Sequence, residues 1–404
     1  MKNTSALHAA GTETLNLAIQ RNKRRKRRLS ADDYSPMILF LQPPHPQMIA
    51  SVIIPVKNEA QNITQTLDAL RLQKDEKGRQ LPFEMYEVLL LANNCTDETY
   101  AIAKAYGQQH PQFSLHIAEI QLDRKRAHIG TARRLLMDEA FRRHNSIGKD
   151  GIILSTDGDT EVDAAWIANT LCEMSGGCDA VGGRILTRDV APDCKLYYLQ
   201  DTTYRYLSAR LEALIDPTDA EKSPHFQCFG ASLAVRCSAY QRAGRLPVIP
   251  FLEDEAFSRA LYRVDAKIRK SPLVKVYTSS RIKGRVKAGL SAHLKQLTNL
   301  KKHNACVFVE SEKTLEEKWH ARRELRSCWG LRKEKKPFDH CISSVGAAIG
   351  ISPKWLLSEM DISVYFGEFW EKTEFKMYTG KWRKKQKWIP IQKAIAELRC
   401  CLKN

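Results

Sequence analysis

The sequence predicts an α/β fold built on a parallel sheet with helices on both faces. Three observations carry that prediction. Short apolar runs rich in valine, isoleucine and leucine stop abruptly at polar residues, each is followed by a helix-forming stretch, and the unit repeats along the chain. Runs that stay apolar instead of alternating read as buried strands. In sheets of this kind ligands bind beyond the carboxyl ends of the strands, so the polar residues that close each run are the candidate site.

Residues 1 to about 48 come first. They lack sustained apolar periodicity, and Pro43-Pro44-His45-Pro46 closes them as a stiff spacer, so they read as a tail and linker. The run Arg21-Asn22-Lys23-Arg24-Arg25-Lys26-Arg27-Arg28 reads as a solvated, disordered arm. Docking to an anionic membrane is its alternative, at about 1 kcal/mol per basic residue near the surface.

The first strand is Ser51-Val52-Ile53-Ile54-Pro55-Val56, passing through Lys57-Asn58-Glu59 into a helix whose Ile63, Leu67 and Leu70 share a face. Asn58 followed by Gln61 resembles a capping box. A helix N-terminus behind a strand presents free N–H groups that suit a diphosphate, although strand, turn and capped helix are also generic. Glu87 to Ala92 forms the second strand. Asn93 sits just past it, placed to touch a ligand, while Thr96 and Asp97 read as helix caps. Phe113 to Glu119 alternates as a third strand, followed by the cationic turn Asp123 to Arg126 and a further helix. Basic groups beside that helix start would hold phosphate well.

The fourth run, Ile152-Ile153-Leu154-Ser155, ends at Asp157 and Asp159, separated only by Gly158. Glycine lets the backbone turn so that both carboxylates converge on one spot. Two unit charges about 4 Å apart would then repel by roughly 4 kcal/mol at an effective dielectric near 20. A hard divalent cation removes that cost. Capping of a following helix is the other reading of the same residues. Glu253-Asp254-Glu255 has the same two faces: a general base with its neighbours, or an acidic first helical turn favoured by the dipole.

A chain of 404 residues has room for two or three domains, and 43% hydrophobic with 27% charged residues is a globular composition. No stretch approaches 18 consecutive apolar residues and the first twenty are too polar for a signal peptide, so neither a spanning helix nor export is expected. The eleven cysteines show no repeated C-x-x-C spacing, which gives zinc no support and points to reduced thiols in the cytoplasm. The net charge of +18 calls for an anionic partner. Phosphorylated substrates and a membrane surface fit it; a nucleic-acid partner rests on charge alone and is disfavoured.

Ser51 to Glu59, Asn93-Asn94-Cys95-Thr96-Asp97-Glu98-Thr99, Asp157-Gly158-Asp159 and Phe251-Leu252-Glu253-Asp254-Glu255-Ala256, in that order and at these intervals, resemble family 2 glycosyltransferases of the GT-A fold. Cys228 to Val235 and Thr278 to Arg281 resemble the soluble bacterial members of that family. The resemblance implies an α/β GT-A mixed sheet over residues 49–288 and leaves 289–404 as a basic, mostly helical appendage. It further implies a nucleotide-sugar donor, with Pro55, Asn58, Glu59 and Asn93 around the nucleoside and Arg126 along the phosphates. Asp157 would sit near ribose and metal, Asp159 would bind Mg²⁺ or Mn²⁺, and Asp254 would be the catalytic base of an inverting transfer. A UDP-sugar is the favoured donor.

Three departures bear on this. Ala92 and Asn93 stand where the family pairs acidic residues; the Gln-x-x-Arg-Trp motif of processive synthases is absent; and no clear counterpart of a later metal-binding histidine is found, His293 and His303 being the candidates. Without that motif and without membrane helices single addition is expected, and peripheral contact through the last third would be consistent with a cell-envelope acceptor, lipid-linked or polysaccharide, at the inner face of the membrane. Competing readings are a nucleotidyltransferase on a related sheet and a haloacid-dehalogenase-like phosphatase, whose nucleophile motif Asp157 to Thr160 imitates. Tyr197, Tyr198, Tyr204, Arg205, Arg210 and residues 216–226 are candidates for the acceptor side or for packing. Arg281 to Lys287 reads as a lid or a solvated loop. Lys381 to Trp388 interleaves lysine with indole, which suits a membrane interface and also nucleic acid, while a helical appendage packed on the catalytic domain is the default reading of this region.

Overall fold

The computed structural model describes residues 38–188, 190–217, 225–279 and 289–403. The basic arm 21–28, the loop 281–287 and part of 216–226 lie outside these residues.

In chain order the first half forms β1 (Ala50–Val56), α1 (Ile63–Arg71), β2 (Tyr86–Asn93), α2 (Thr99–Gln109), β3 (Leu115–Ile120), α3 (Ile129–Ser146), β4 (Ile152–Ser155), β5 (Thr160–Val162), α4 (Trp166–Ser175) and β6 (Ala180–Thr187). There follow α5 (Pro192–Ile215), β7 (Leu233–Arg236), α6 (Cys237–Arg242), α7 (Glu253–Arg263), β8 (Ile268–Thr278) and α8 (Leu290–Lys302). The chain closes with β9 (Phe308–Glu310), α9 (Glu312–Lys333), α10 (Asp339–Ile349), α11 (Pro353–Ile362), α12 (Phe366–Thr379), α13 (Lys381–Lys385), β10 (Trp388–Pro390) and α14 (Ile391–Cys401).

Strands β1 to β8 make one mixed sheet in the order β3-β2-β1-β4-β7-β6-β8-β5. The expected parallel half is β3, β2, β1 and β4. Beyond it β7 runs antiparallel to both β4 and β6, β6 and β8 are parallel, and β5 is antiparallel to β8. The period of two along each strand divides the core. Val52, Ile54, Val88, Leu90 and Leu154 pack with Ile63 and Leu67 of α1. Ile53, Leu89, Leu91 and Ile153 pack on the other face with Leu136 and Met137 of α3 and Phe257 of α7. Helices thus cover both faces.

Several local expectations change. The capping box is not formed: α1 starts only at Ile63, and the N–H groups of Asn62 and Ile63 donate to the Glu59 carbonyl at 2.9 Å, while the Asn58 side chain turns elsewhere. The third strand begins at Leu115, and Phe113 is buried in an aromatic cluster with Phe83 and Tyr86. Within the expected linker, Phe40 and Met48 are buried and the Gln42 carbonyl accepts from Arg143 Nη1 at 2.6 Å. Arg143 belongs to a buried network at the amino edge of the sheet. Its Nε reaches Glu87 Oε1 at 2.9 Å, and Ser51 Oγ donates to the same oxygen at 2.8 Å while lying 3.1 Å from His144 Nε2.

Of the tryptophans of the last third, Trp355 and Trp388 are half-buried and the other four are core residues. Trp319, Trp329, Trp370 and Trp382 are buried in one apolar core, with Trp329 stacked on Phe369. Lys318 Nζ lies 4.2 Å and the Arg322 guanidinium 4.3 Å from the Trp319 ring centre, whereas Lys381, Arg383, Lys384, Lys385 and Lys387 are exposed. Tyr204, Leu207, Leu211 and Ile215 of α5 enter this same core. Tyr204 also donates to the Glu310 carbonyl and Tyr197 to the Ala305 carbonyl, so these two rings pack. Asp216 is buried between Arg322 and Arg326, an ion-pair anchor. Arg205 pairs with Asp201, as does His293. Among the described residues no disulfide occurs and no helix is long and apolar enough to cross a membrane.

Candidate functional site

Because β1 lies between β2 and β4 in parallel register, the residues after all three strands open on one edge. Pro55 is paired with Leu91 near the end of β1, and Asn93 is the last residue of β2. Asn58, with φ 54°, takes the left-handed conformation that asparagine tolerates. Its side chain clamps the two loops together, accepting from Thr96 N at 2.8 Å and donating to Thr96 Oγ1 at 3.0 Å. Asp97 serves the same purpose, since Oδ2 accepts from Ala60 N and Oδ1 from Thr99 N. Glu59 is buried, its N–H donating to Thr99 Oγ1 at 2.7 Å.

After β4 the chain does not enter a helix. Asp157-Gly158-Asp159 leads directly into β5, which pairs with β8, and α4 begins only at Trp166. The helix-cap reading of the two aspartates is therefore excluded. Thr66 of α1 donates to the Gly158 carbonyl at 3.1 Å, and a Cβ on Gly158 would stand 2.6 Å from Val56 Cγ1. Only glycine lets this turn lie against the end of β1.

Asp254 comes to the same place from 97 residues away in sequence, on the first turn of α7. Leu252, which caps α7, has φ 57°, a strained conformation for a branched residue that sharply redirects the chain into the acidic turn. The Asp254 carboxylate accepts from Gly230 N at 2.8 Å and from Glu255 N at 2.9 Å. Glu253 to Glu255 form the acidic first turn of α7, and its central carboxylate is pinned by backbone N–H groups.

The residue that joins these pieces is Arg133 of α3, which the sequence reading passed over in favour of Arg126. Arg126 is exposed in the turn ahead of α3. Arg133 is buried, with Nη2 donating to Asp157 Oδ1 at 2.5 Å and Nη1 donating to Glu253 Oε1. Gly230 makes room for it, because a Cβ there would sit 2.5 Å from Nη1. A sequence signal existed. Arg134 has Asp138 one turn on and pairs with it at 2.5 Å, whereas Arg133 has Met137 there and no local acid to meet.

One guanidinium thus serves several carboxylates. Burial raises the Asp157 carboxyl above its usual range, and repulsion from Asp254 and Glu59 adds to this against the pull of Arg133. Glu253 is pushed up to about 7 by burial, opposed by Arg133 and reinforced by Asp254 and Asp157. Glu255 is also raised, by burial and by Asp254. A surplus of hard, oxygen-bearing negative charge at a polar rim fits a divalent cation such as Mg²⁺ or Mn²⁺. Asn93 Oδ1, Ser155 Oγ, Thr156 Oγ1 and Arg133 Nε are buried at this edge without a hydrogen-bond partner, as ligand-contacting groups in native sites often are.

Residues 51–235 match the glycosyl transferase family 2 model. The glycosyltransferase AglE of Haloferax volcanii is 31% identical over 137 residues, covering 33% of this chain and 38% of AglE, so the match spans well under half of that relative. Among solved structures, S. aureus TarS 1–349 in complex with UDP-GlcNAc is similar with 16% identity and a TM-score of 0.43, over 83% of this chain and 93% of that one. A mannosyltransferase of Pyrobaculum calidifontis in complex with GDP-Man and Mn²⁺ gives 15% identity and 0.43 over 97% and 95%.

Proposed function

We propose, from a chain whose residues 51–235 match the glycosyl transferase family 2 model, that it moves a sugar from a nucleoside-diphosphate donor to an acceptor hydroxyl with inversion at the anomeric carbon. The observation that carries this reading is the Arg133 bridge, which ties the carboxylate after β4 to the acidic turn of α7.

In this reading the nucleoside lies against Pro55, Asn58, Glu59 and Asn93. The free acceptor oxygen of Asn93 suits the N3–H of uracil, which favours a UDP-sugar. Asp157 and Asp159 would hold the divalent ion. When bound, that ion would supply positive charge to offset the charge growing on the departing diphosphate. Arg126 lies along the phosphates. Asp254, immobilised by Gly230 and Glu255, accepts the proton of the acceptor hydroxyl. The hydroxyl oxygen bonds to the anomeric carbon as the carbon–oxygen bond to phosphate breaks, and its electron pair leaves with the nucleoside diphosphate. One base and one displacement give inversion.

Single addition, a cell-envelope acceptor and residence at the inner face of the membrane belong to the same proposal. A phosphatase reading would need its nucleophile motif on the first strand of the sheet, whereas Asp157 follows the fourth in the chain.

The test is a thermal-shift screen of UDP-, GDP- and TDP-sugars with and without Mn²⁺, followed by turnover of the D254N variant. One donor class should raise Tm in a metal-dependent way. D254N should keep donor binding and lose about 10² to 10⁴ in rate. A variant that turns over at the wild-type rate would remove Asp254 as the base. Nucleotidyl transfer in place of glycosyl transfer would show as pyrophosphate released from a nucleoside triphosphate in the presence of a sugar 1-phosphate.

A further inference from the structure

In the stretch Lys381 to Trp388 the Trp382 indole is buried and Trp388 half-buried, which leaves little apolar surface there for a bilayer, but another element supplies one. On α5 the large apolar residues Leu196, Leu199, Tyr206 and Leu214 stand 62%, 50%, 44% and 64% exposed. Single exposed leucines are ordinary on a protein surface. These four fall within an arc of about 80° at 3.6 residues per turn and run about 27 Å along the axis. The rest of the helix is satisfied. Tyr204, Leu207, Leu211 and Ile215 face the core of the last third, and Cys194 and Tyr197 meet Leu294 and Leu297 of α8.

Charge on the outer face is of one sign. Arg210 lies within the apolar arc and Lys195 flanks it, both exposed. Asp193, the exposed carboxylate of α5, sits in its first turn and faces Lys301 Nζ at 3.8 Å. We infer that the outer face of α5 is a docking surface for an anionic lipid bilayer, into whose headgroup boundary the leucines insert while Arg210 and Lys195 meet lipid phosphates. An amphipathic helix lying in the interface presents these same parts: leucines on one face, an aromatic ring at headgroup level, and basic side chains whose stems cover apolar surface. The alternative occupant, a second copy, is disfavoured by charge. Two chains of +18 would bring like-signed faces together, whereas an anionic bilayer complements them. This inference does not depend on the glycosyl-transfer reading, because vesicle binding is measured without donor or acceptor.

The full chain is co-sedimented with vesicles of phosphatidylcholine alone and of phosphatidylcholine mixed with phosphatidylglycerol. Two variants accompany it: L199D with L214D in one chain, and a chain in which every basic residue of 21–28 is serine. The wild type should bind only the phosphatidylglycerol vesicles. The leucine variant should lose roughly a hundredfold in affinity, about tenfold per leucine withdrawn from lipid. Its circular dichroism and Tm should be unchanged, since both positions face outward. The serine variant should bind more weakly but remain sensitive to the leucine changes. Three outcomes would overturn the inference: no binding of wild type to phosphatidylglycerol vesicles, equal binding by wild type and leucine variant, or light scattering that shows a wild-type dimer made monomeric by the leucine changes.

Discussion

Arg133 can be tested with two substitutions that separate charge from shape. R133M leaves Asp157, Glu253 and Asp254 gathered with no cation among them, although Glu253 is almost wholly buried. Removing one partner of a buried ion pair typically costs about 3–5 kcal/mol, and most of that range applies because Glu253 has little access to water. R133K keeps the charge but not the fork. The guanidinium sends one nitrogen to each of two carboxylates, and an ammonium at the end of a flexible stem replaces at most one of those bonds well. The expected loss is one charge-assisted hydrogen bond, about 1.5–3 kcal/mol. Urea unfolding at neutral pH in the presence of chelator reads both, with stability ordered wild type, then Lys, then Met. Donor-induced stabilisation should fall in the same order, since the Asp254 turn is held beside Asp157 through Arg133. If both variants unfolded at the wild-type urea midpoint, the carboxylates would not depend on the bridge and the coupling of the two motifs would be refuted.

Three further outcomes follow from the remaining geometry. D159A should abolish the Mn²⁺-dependent part of the donor thermal shift; an identical shift with and without chelator in both proteins would contradict a metal at this edge. The buried network at the opposite edge sets the acid limit of stability. Hydrogen bonds from His116 and Arg143 outweigh burial and hold Glu87 at about 2 against 4.5 for a free carboxyl, while burial holds His144 at about 4 against 6.5. Both shifts are downward, so both contributions are complete above about pH 6.5. The His144 part is lost as pH falls from 6.5 to 4 and the Glu87 part from 4.5 to 2, each worth roughly 3 kcal/mol at 1.36 per unit. Unfolding midpoints in urea at pH 7 and pH 4 should differ accordingly, and equal midpoints would refute it. E87Q should cost about 3–5 kcal/mol at pH 7, because Arg143 then stays buried without its carboxylate.

The parallel half of the sheet was legible because β1, β2 and β4 are self-contained apolar runs ending in polar residues and β3 alternates, information held within about ten neighbours. The other half was not. β5 is three residues long, β6 carries Gly182 and Gly183 in its middle, and β8 is interrupted by Lys270, Ser271 and Pro272. These segments are strands because of what they pair with, not because of local preference. The same distinction runs through the site. Asp157 and Asp159 sat equally well in two readings until β5, by pairing with β8, removed the helix they would have capped. Lysine beside indole has one local pattern whether the pair lies at a membrane or inside a core. For Trp319, Trp329, Trp370 and Trp382 the choice fell to burial, which only the packing of helices distant in sequence into one core decides. Arg133 lies between these cases: its partners are remote, but its need for a partner is local. An arginine near a helix N-terminus opposes the helix dipole, and this one has no acid a turn away to compensate. Such a residue is either a solvated surface cation or a committed long-range one. Its neighbours settle the matter, because Ala132 and Leu136, a residue before it and three after it, belong to the buried face of α3. A buried cation with no local counter-charge must be met by carboxylates arriving from elsewhere in the fold, and in this chain the acids after β4 and at the start of α7 are the ones that arrive.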